Sequence, residues 1–284
     1  QGGARLIADG TREEPIVFTS SKPVGQRRAG DWGGLALIGK ARINRVPMYL
    51  NIVTNQEDAE VGGQDDAWNC GTLRYVRTEF GGGLIDGEKA LNGLTFAGCG
   101  SETVVDYVQS HFGDDDGIEF DVGWRGKGQF LAVQLDGNGE EAIEGENRGE
   151  EPLATPLTDF QVYNYTVIGA EQETDFQRGV IFKSGGYGKL SHGIILGTST
   201  DAVHISGPES AQNASMGRTQ VENTLFFNIG TGETPQLFTL DEEASMEVSD
   251  MFDPEAYFRD EETLNVFDKD PGFQNPYDLG VKHI

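Results

Sequence analysis

Three adjacent carboxylates, Asp114, Asp115 and Asp116, precede Gly117 and form the densest cluster of reactive groups in the chain. An aspartate-rich turn can hold Ca²⁺, which takes about six to eight oxygen ligands. Paired carboxylates can also share general-acid and general-base work in sugar hydrolysis. The plainest alternative is a solvated acidic turn in which one Asp bonds its own backbone. In a layered fold these residues would lie beside Glu119, Asp121 and Glu144. Like charge packed that closely favours a cation or raised pKa values. Calcium at Asp114, Asp115 and Asp116 is therefore the one candidate cofactor, set against the solvated turn, and no other is suggested.

Other candidates are sparser. His111, His192, His204 and His283 make no metal-type pair with another His or Cys, which argues against zinc. Ser191-His192-Gly193 lies 77 residues from Asp114 and reads as part of a strand or turn. Arg125 and Lys127 are the bases a polysaccharide lyase could draw on, but nothing fixes their position. No G-x-S-x-G context surrounds a serine, and Gly81–Gly83 and Gly185–Gly186 do not open phosphate loops. Trp32, Trp68 and Trp124 sit in Gly- or Asp-rich turns, where a ring can stack on a sugar or cap the core.

These groups must be positioned by short β runs broken by Gly and Asp. Examples are residues 15–20, 34–39, 71–80, 103–112, 128–135, 160–169, 190–197 and 221–228. All are rich in β-branched and aromatic residues. No helical period is expected before Asp250. Repeats decide the architecture. The segment Leu73–Gly81 aligns with Val105–Gly113 at an offset of 32. A second motif recurs as Gly93–Phe96, Gly117–Phe120, Ala142–Gly145, Gly179–Phe182 and Ala202–Ile205, at offsets of 24, 25, 37 and 23. Units of about two dozen residues suit a parallel β-helix, whose coils stack in register. A β-sandwich is the alternative. Alternation along residues 75–80 would set Tyr75, Arg77 and Glu79 on one face and Val76, Thr78 and Phe80 on the other.

Cys70 and Cys99 are 29 residues apart, close to one coil, and adjacent coils would bring them within disulfide reach. The alternative is two buried thiols. The 284 residues carry 40 glycines and a net charge of -26. That charge argues against nucleic acid and anionic membranes as partners. No apolar run is long enough for a membrane helix. The acidic balance and low lysine content lean toward an extracellular setting. A chain opening at Gln1 is expected to be a processed product or a fragment.

Several long motifs carry a resemblance. They are Glu14–Gly34, Cys70–Arg77, Leu91–Phe96, Gly113–Phe120, Gly123–Phe130, Asp270–Phe273 and Asn275-Pro276. They resemble a family of bacterial secreted or lipid-anchored surface proteins. The resemblance implies a right-handed parallel β-helix and carries over no catalytic residues. Such relatives have a further strand ahead of the position of Gln1, which is missing here, and a further coil between Phe120 and Trp124, which this protein has lost or this chain skips.

The expected architecture is all-β: a right-handed parallel β-helix over residues 1–240, then an acidic, partly helical capping or docking segment over 241–284. The expected function is a non-catalytic extracellular or cell-surface role in structure, adhesion or assembly, with calcium as a candidate ligand. Expected partners are other protein subunits, a second copy included, or surface glycans. A polysaccharide lyase or hydrolase working on the β-helix face is the first alternative. A carbohydrate-binding module using the turn tryptophans is the second.

Overall fold

A computed structural model describes residues 2–44, 48–50, 56–85, 91–147, 150–171, 176–230, 235–241 and 252–278. The strands are β1 (Leu6–Asp9), β2 (Ile16–Phe18), β3 (Leu35–Ile38), β4 (Met48–Tyr49), β5 (Glu60–Val61), β6 (Gly71–Glu79), β7 (Leu94–Ala97), β8 (Val104–His111), β9 (Ile118–Phe120), β10 (Lys127–Gln134), β11 (Glu141–Glu146), β12 (Asp159–Ile168), β13 (Arg178–Lys183), β14 (Tyr187–Leu196), β15 (Asp201–Ile205), β16 (Gln220–Phe227), β17 (Phe238–Leu240) and β18 (Val266–Phe267). Two short helices are α1 (Pro208–Ser215) and α2 (Pro254–Phe258). Every β run anticipated above contains a strand.

Apart from an antiparallel pair of β4 and β5, the strands fall into two long parallel sheets, visited by turns from β6 to β17. The nine-stranded sheet runs β1-β6-β8-β10-β12-β14-β16-β18, with β2 beside β6, and the seven-stranded sheet runs β17-β15-β13-β11-β9-β7-β3. Each turn of chain adds one strand to each sheet, so the fold is a parallel β-helix. In the seven-stranded sheet Leu94, Ile118, Ile143, Val180, Val203 and Phe238 form one inward column, all at most 1 % exposed. The main apolar core runs from Ala8 to Phe258, and a smaller cluster around Ile43, Met48, Val61 and Val122 lies apart from it.

Across residues 75–78 the expected alternation holds, with Val76 and Thr78 buried against partly exposed Tyr75 and Arg77, while Glu79 is buried as well; the period breaks one step earlier. Tyr75, Tyr107, Phe130, Asn164, His192 and Asn223 occupy one register position in mid-strand, and all have φ between 50° and 60°. A left-handed residue inserted there bends each coil, so Leu73 and Val76 both face inward although three positions apart. The nine-stranded sheet thus has two faces, giving the coil three sides.

α1 corrects the expectation of no helix before Asp250. Its N-cap is Gly207 without a side-chain cap, and its buried apolar residues are only Ala211 and Ala214, so a helical signal is faint. The chain passes from β9 to β10 through 121–126 and from β7 to β8 through 98–103, turns of equal length. The coil after Phe120 closes directly, with β10 paired to β8.

In the C-terminal segment, α2 lays Phe258 on Phe238 with ring centroids 5.0 Å apart. β18 then joins β16 in the nine-stranded sheet. Residues 242–251 and 279–284 lie outside the described residues.

Candidate functional site

Outward positions of the seven-stranded sheet carry an ordered set of charges. Glu119 of β9 pairs in register with Glu144 of β11. Continuing that register sets Asp116 beside Glu141 and Asp121 beside Glu146. In the next coil Glu141, Glu144 and Glu146 face Arg178, Ile181 and Lys183 of β13. Two rungs of three carboxylates are therefore followed by a rung with two cations. Parallel strands stack these rungs about 4.8 Å apart.

The carboxylates form two trios. Asp116, Glu141 and Glu144, all buried, bring one oxygen each within 4.8 Å of one another, as do Glu119, Asp121 and Glu146. Two oxygens on opposite sides of a calcium ion are separated by about 4.8 Å, because each Ca–O bond is about 2.4 Å. The donor set is oxygen only, as a hard cation requires.

The electrostatics show the crowding. Burial first, then Glu144, raises the Asp116 pKa well above the ordinary carboxylate range. Burial, then Asp121 and Glu146, does the same for Glu119. Asp115 is pushed up to about 7 by burial and by Glu140, Glu144 and Glu141. Asp114 is raised by burial, Asp136 and Glu140. The two cations are already engaged. Lys183 Nζ lies 3.0 Å from Glu144 and 3.9 Å from Glu146, and these partners raise its pKa although burial works against them. Arg178 bridges Glu141 at 3.2 Å and Asp201 at 3.3 Å.

Of the three sequence-designated carboxylates, only Asp116 joins a trio. Asp114 lies against Gly30, where an added Cβ would come 2.7 Å from its Oδ2. Asp115 stands at the rim beside Glu140. Glu119, Asp121 and Glu144 do stack with Asp116, while Glu141 and Glu146 were missed. Their signal was present in the repeat, because Glu141 and Glu146 flank Ala142–Gly145 as Asp116 and Asp121 flank Gly117–Phe120.

The other candidates disperse. Arg125 and Arg42 both pair with Asp66, and Lys127 begins β10 in the other sheet. His192 is a left-handed bend residue bonded to Ser191 at 2.8 Å, and Gly193 leaves room for the Tyr165 ring. His204 meets Thr239 at 2.6 Å and Asp241 at 2.8 Å. His111 is buried in β8, and His283 is outside the described residues. Trp124 is 0 % exposed and packs between Phe96 and Phe120, so it cannot meet a sugar. Trp32 is half-buried and donates to the Glu79 carbonyl, while half-buried Trp68 packs on the core under Arg5. Cys70 and Cys99 form a disulfide, with Cα atoms 5.6 Å apart. No helix among the described residues is long and apolar enough to cross a membrane.

Residues 1–123 and residues 120–257 each match the family model described as a pectate-lyase like beta helix domain. No curated protein and no solved structure matches the chain.

Proposed function

The chain belongs to the pectate-lyase like beta helix family, and from that premise we propose a non-catalytic extracellular protein that binds calcium on its seven-stranded sheet. It acts at the cell surface in adhesion or assembly, with the ion bridging the acidic face to an anionic glycan or another subunit. The observation that carries this reading is the double rung of six carboxylates, with raised pKa values at Asp116 and Glu119. Asp116, Glu141 and Glu144 would hold one ion, and Glu119, Asp121 and Glu146 a second. A bound divalent ion offsets like-charge repulsion that the fold otherwise bears. The non-catalytic part rests on Arg178 and Lys183, which are ion-paired and so poorly placed to accept a substrate proton. The disulfide fits an oxidising compartment.

One observation favours a second reading. Asp115, with a pKa near 7 at the rim of the array, could exchange protons at neutral pH, as a hydrolase or lyase would need.

Calcium titration of chelator-stripped protein tests the main reading. Binding by calorimetry and a rise in melting temperature with calcium are the expected outcomes. An unchanged melting temperature with and without chelator removes calcium from the account. Depolymerisation of an anionic polysaccharide, lost in Asp115→Asn, would replace the non-catalytic reading by the second.

A further inference from the structure

The motif Asp270–Phe273 with Asn275-Pro276 takes no part in the acidic array. Its segment runs back over the outer face of the nine-stranded sheet, beyond the bend. Asp268 N–H donates to the Phe226 carbonyl at 3.1 Å, Asn228 Nδ2 donates to Tyr277 Oη at 2.9 Å, and Gln134 Nε2 donates to the Pro276 carbonyl at 3.1 Å. The segment comes close at Gly197, where a Cβ would lie 2.3 Å from the Tyr277 ring.

Between this strap and the sheet lies a cavity of about 240 Å³. Its floor is Gln109, Ala132 and Thr166, which stand side by side in register, with Ile168 beyond. Phe273 and Pro276 roof it, and Phe273 is 41 % exposed. Gln109 is 3 % exposed, and its side-chain oxygen is buried without a hydrogen-bond partner. An unpaired buried acceptor is costly, so it marks a place where a donor belongs.

The shape and chemistry define the ligand. The cavity is smaller than the roughly 300–1,000 Å³ of drug-sized sites, which suits one sugar ring. Its walls are mainly apolar and its acceptor is neutral. Asp278 on its lining and the net charge of -26 oppose an anion. A pyranose offers a C–H face for an aromatic ring and a hydroxyl donor at its edge. We propose that this cavity binds a neutral pyranose, whose hydroxyl donates to Gln109 Oε1 while its C–H face lies against Phe273. The site is separate from the carboxylate array and does not depend on calcium.

Saturation-transfer NMR on the full chain, with methyl β-glucopyranoside, methyl β-galactopyranoside and methyl α-mannopyranoside, tests this. The expected result is transfer to at least one of them, with a shift of the Gln109 side-chain amide and no transfer to galacturonate. Gln109→Leu and Phe273→Ala should each weaken binding about tenfold, the effect of one lost hydrogen bond or ring contact. Phe273 is exposed enough that its variant should fold even if the Gln109 variant does not. No transfer to any neutral pyranoside overturns the proposal, as does binding undiminished in Phe273→Ala. Equal binding of galacturonate overturns the neutral class.

Discussion

Asp116 differs from Asp114 by only two positions, yet their surroundings are opposite. Asp116 points into a buried trio, while Asp114 sits at the edge near Gly30. Asp116→Asn should therefore remove the share of calcium binding and stabilisation that comes from its own trio, leaving the Glu119–Asp121–Glu146 ion, whereas Asp114→Asn should keep both. Loss in both by calorimetry would return the ion to the linear aspartate cluster. Glu144→Gln should weaken calcium at least about tenfold, since it removes one charged oxygen ligand. The pH dependence follows from the raised carboxyls. A folded pKa above the unfolded value contributes stability that is present at low pH and lost as pH rises through the folded value. Asp115 moves from 3.8 to about 7, so calcium-free protein should lose stability across that window, with Asp116 and Glu119 adding to the loss. Calcium should flatten the slope. A calcium-free melting temperature that rises from pH 4 to 7 would contradict this.

At the scale of the element, the odd member of the repeat explains a piece of packing. Phe96, Phe120, Gly145, Phe182 and Ile205 share one inward column, and only Gly145 lacks a side chain. Phe160 of β12, in the other sheet, fills the gap. Its ring stacks 5.2 Å from Phe120 and 5.2 Å from Phe182, so the aromatic column continues through the missing position. A Cβ on Gly145 would lie 2.0 Å from the Phe160 ring. Gly145→Ala should cost about 1–3 kcal/mol by overpacking, and Phe160→Ala about 3–5 kcal/mol by opening a cavity. Chemical denaturation measures both, and a neutral Gly145→Ala would show that the ring can move aside. The Tyr75–Tyr107–Phe130 stack has a different use. With centroids 4.5 and 4.4 Å apart, these rings spend their faces on one another at the bend.

Across the whole molecule charge is unevenly spread. Residues 1–80 hold 10 Lys or Arg and 10 Asp or Glu, while residues 81–284 hold 11 against 37, so the net charge of -26 belongs to the later part. Stacked coils bring this charge together, because each coil lies about 4.8 Å from the next. Repulsion between exposed groups is screened by salt, with a Debye length of about 10 Å at 0.1 M. Raising NaCl from about 10 mM to about 500 mM should therefore raise the melting temperature of the calcium-free protein. A melting temperature indifferent to salt would mean that the charges are already paired or protonated.

The repeat and the disulfide spacing were legible in the sequence because coils of similar length must carry matching residues at matching positions. That regularity determined the parallel β-helix, the strands from β6 to β16 and the neighbourhood of the acidic site, while β1, β4, β5, β17 and β18 carried no repeat signal. The membership of the site was decided by the tertiary structure. Carboxylates 25 residues apart, such as Asp116 and Glu141, become neighbours only when register is set, and adjacent ones such as Asp114 and Asp116 diverge as the chain turns. Bends at left-handed Tyr75, Tyr107 and Phe130 were also hidden, since glycine and asparagine mark such positions far more often than aromatic residues do. Strand identity is written in local pattern, but which side chains meet depends on how coils of unequal length, with offsets from 23 to 37, come back into register.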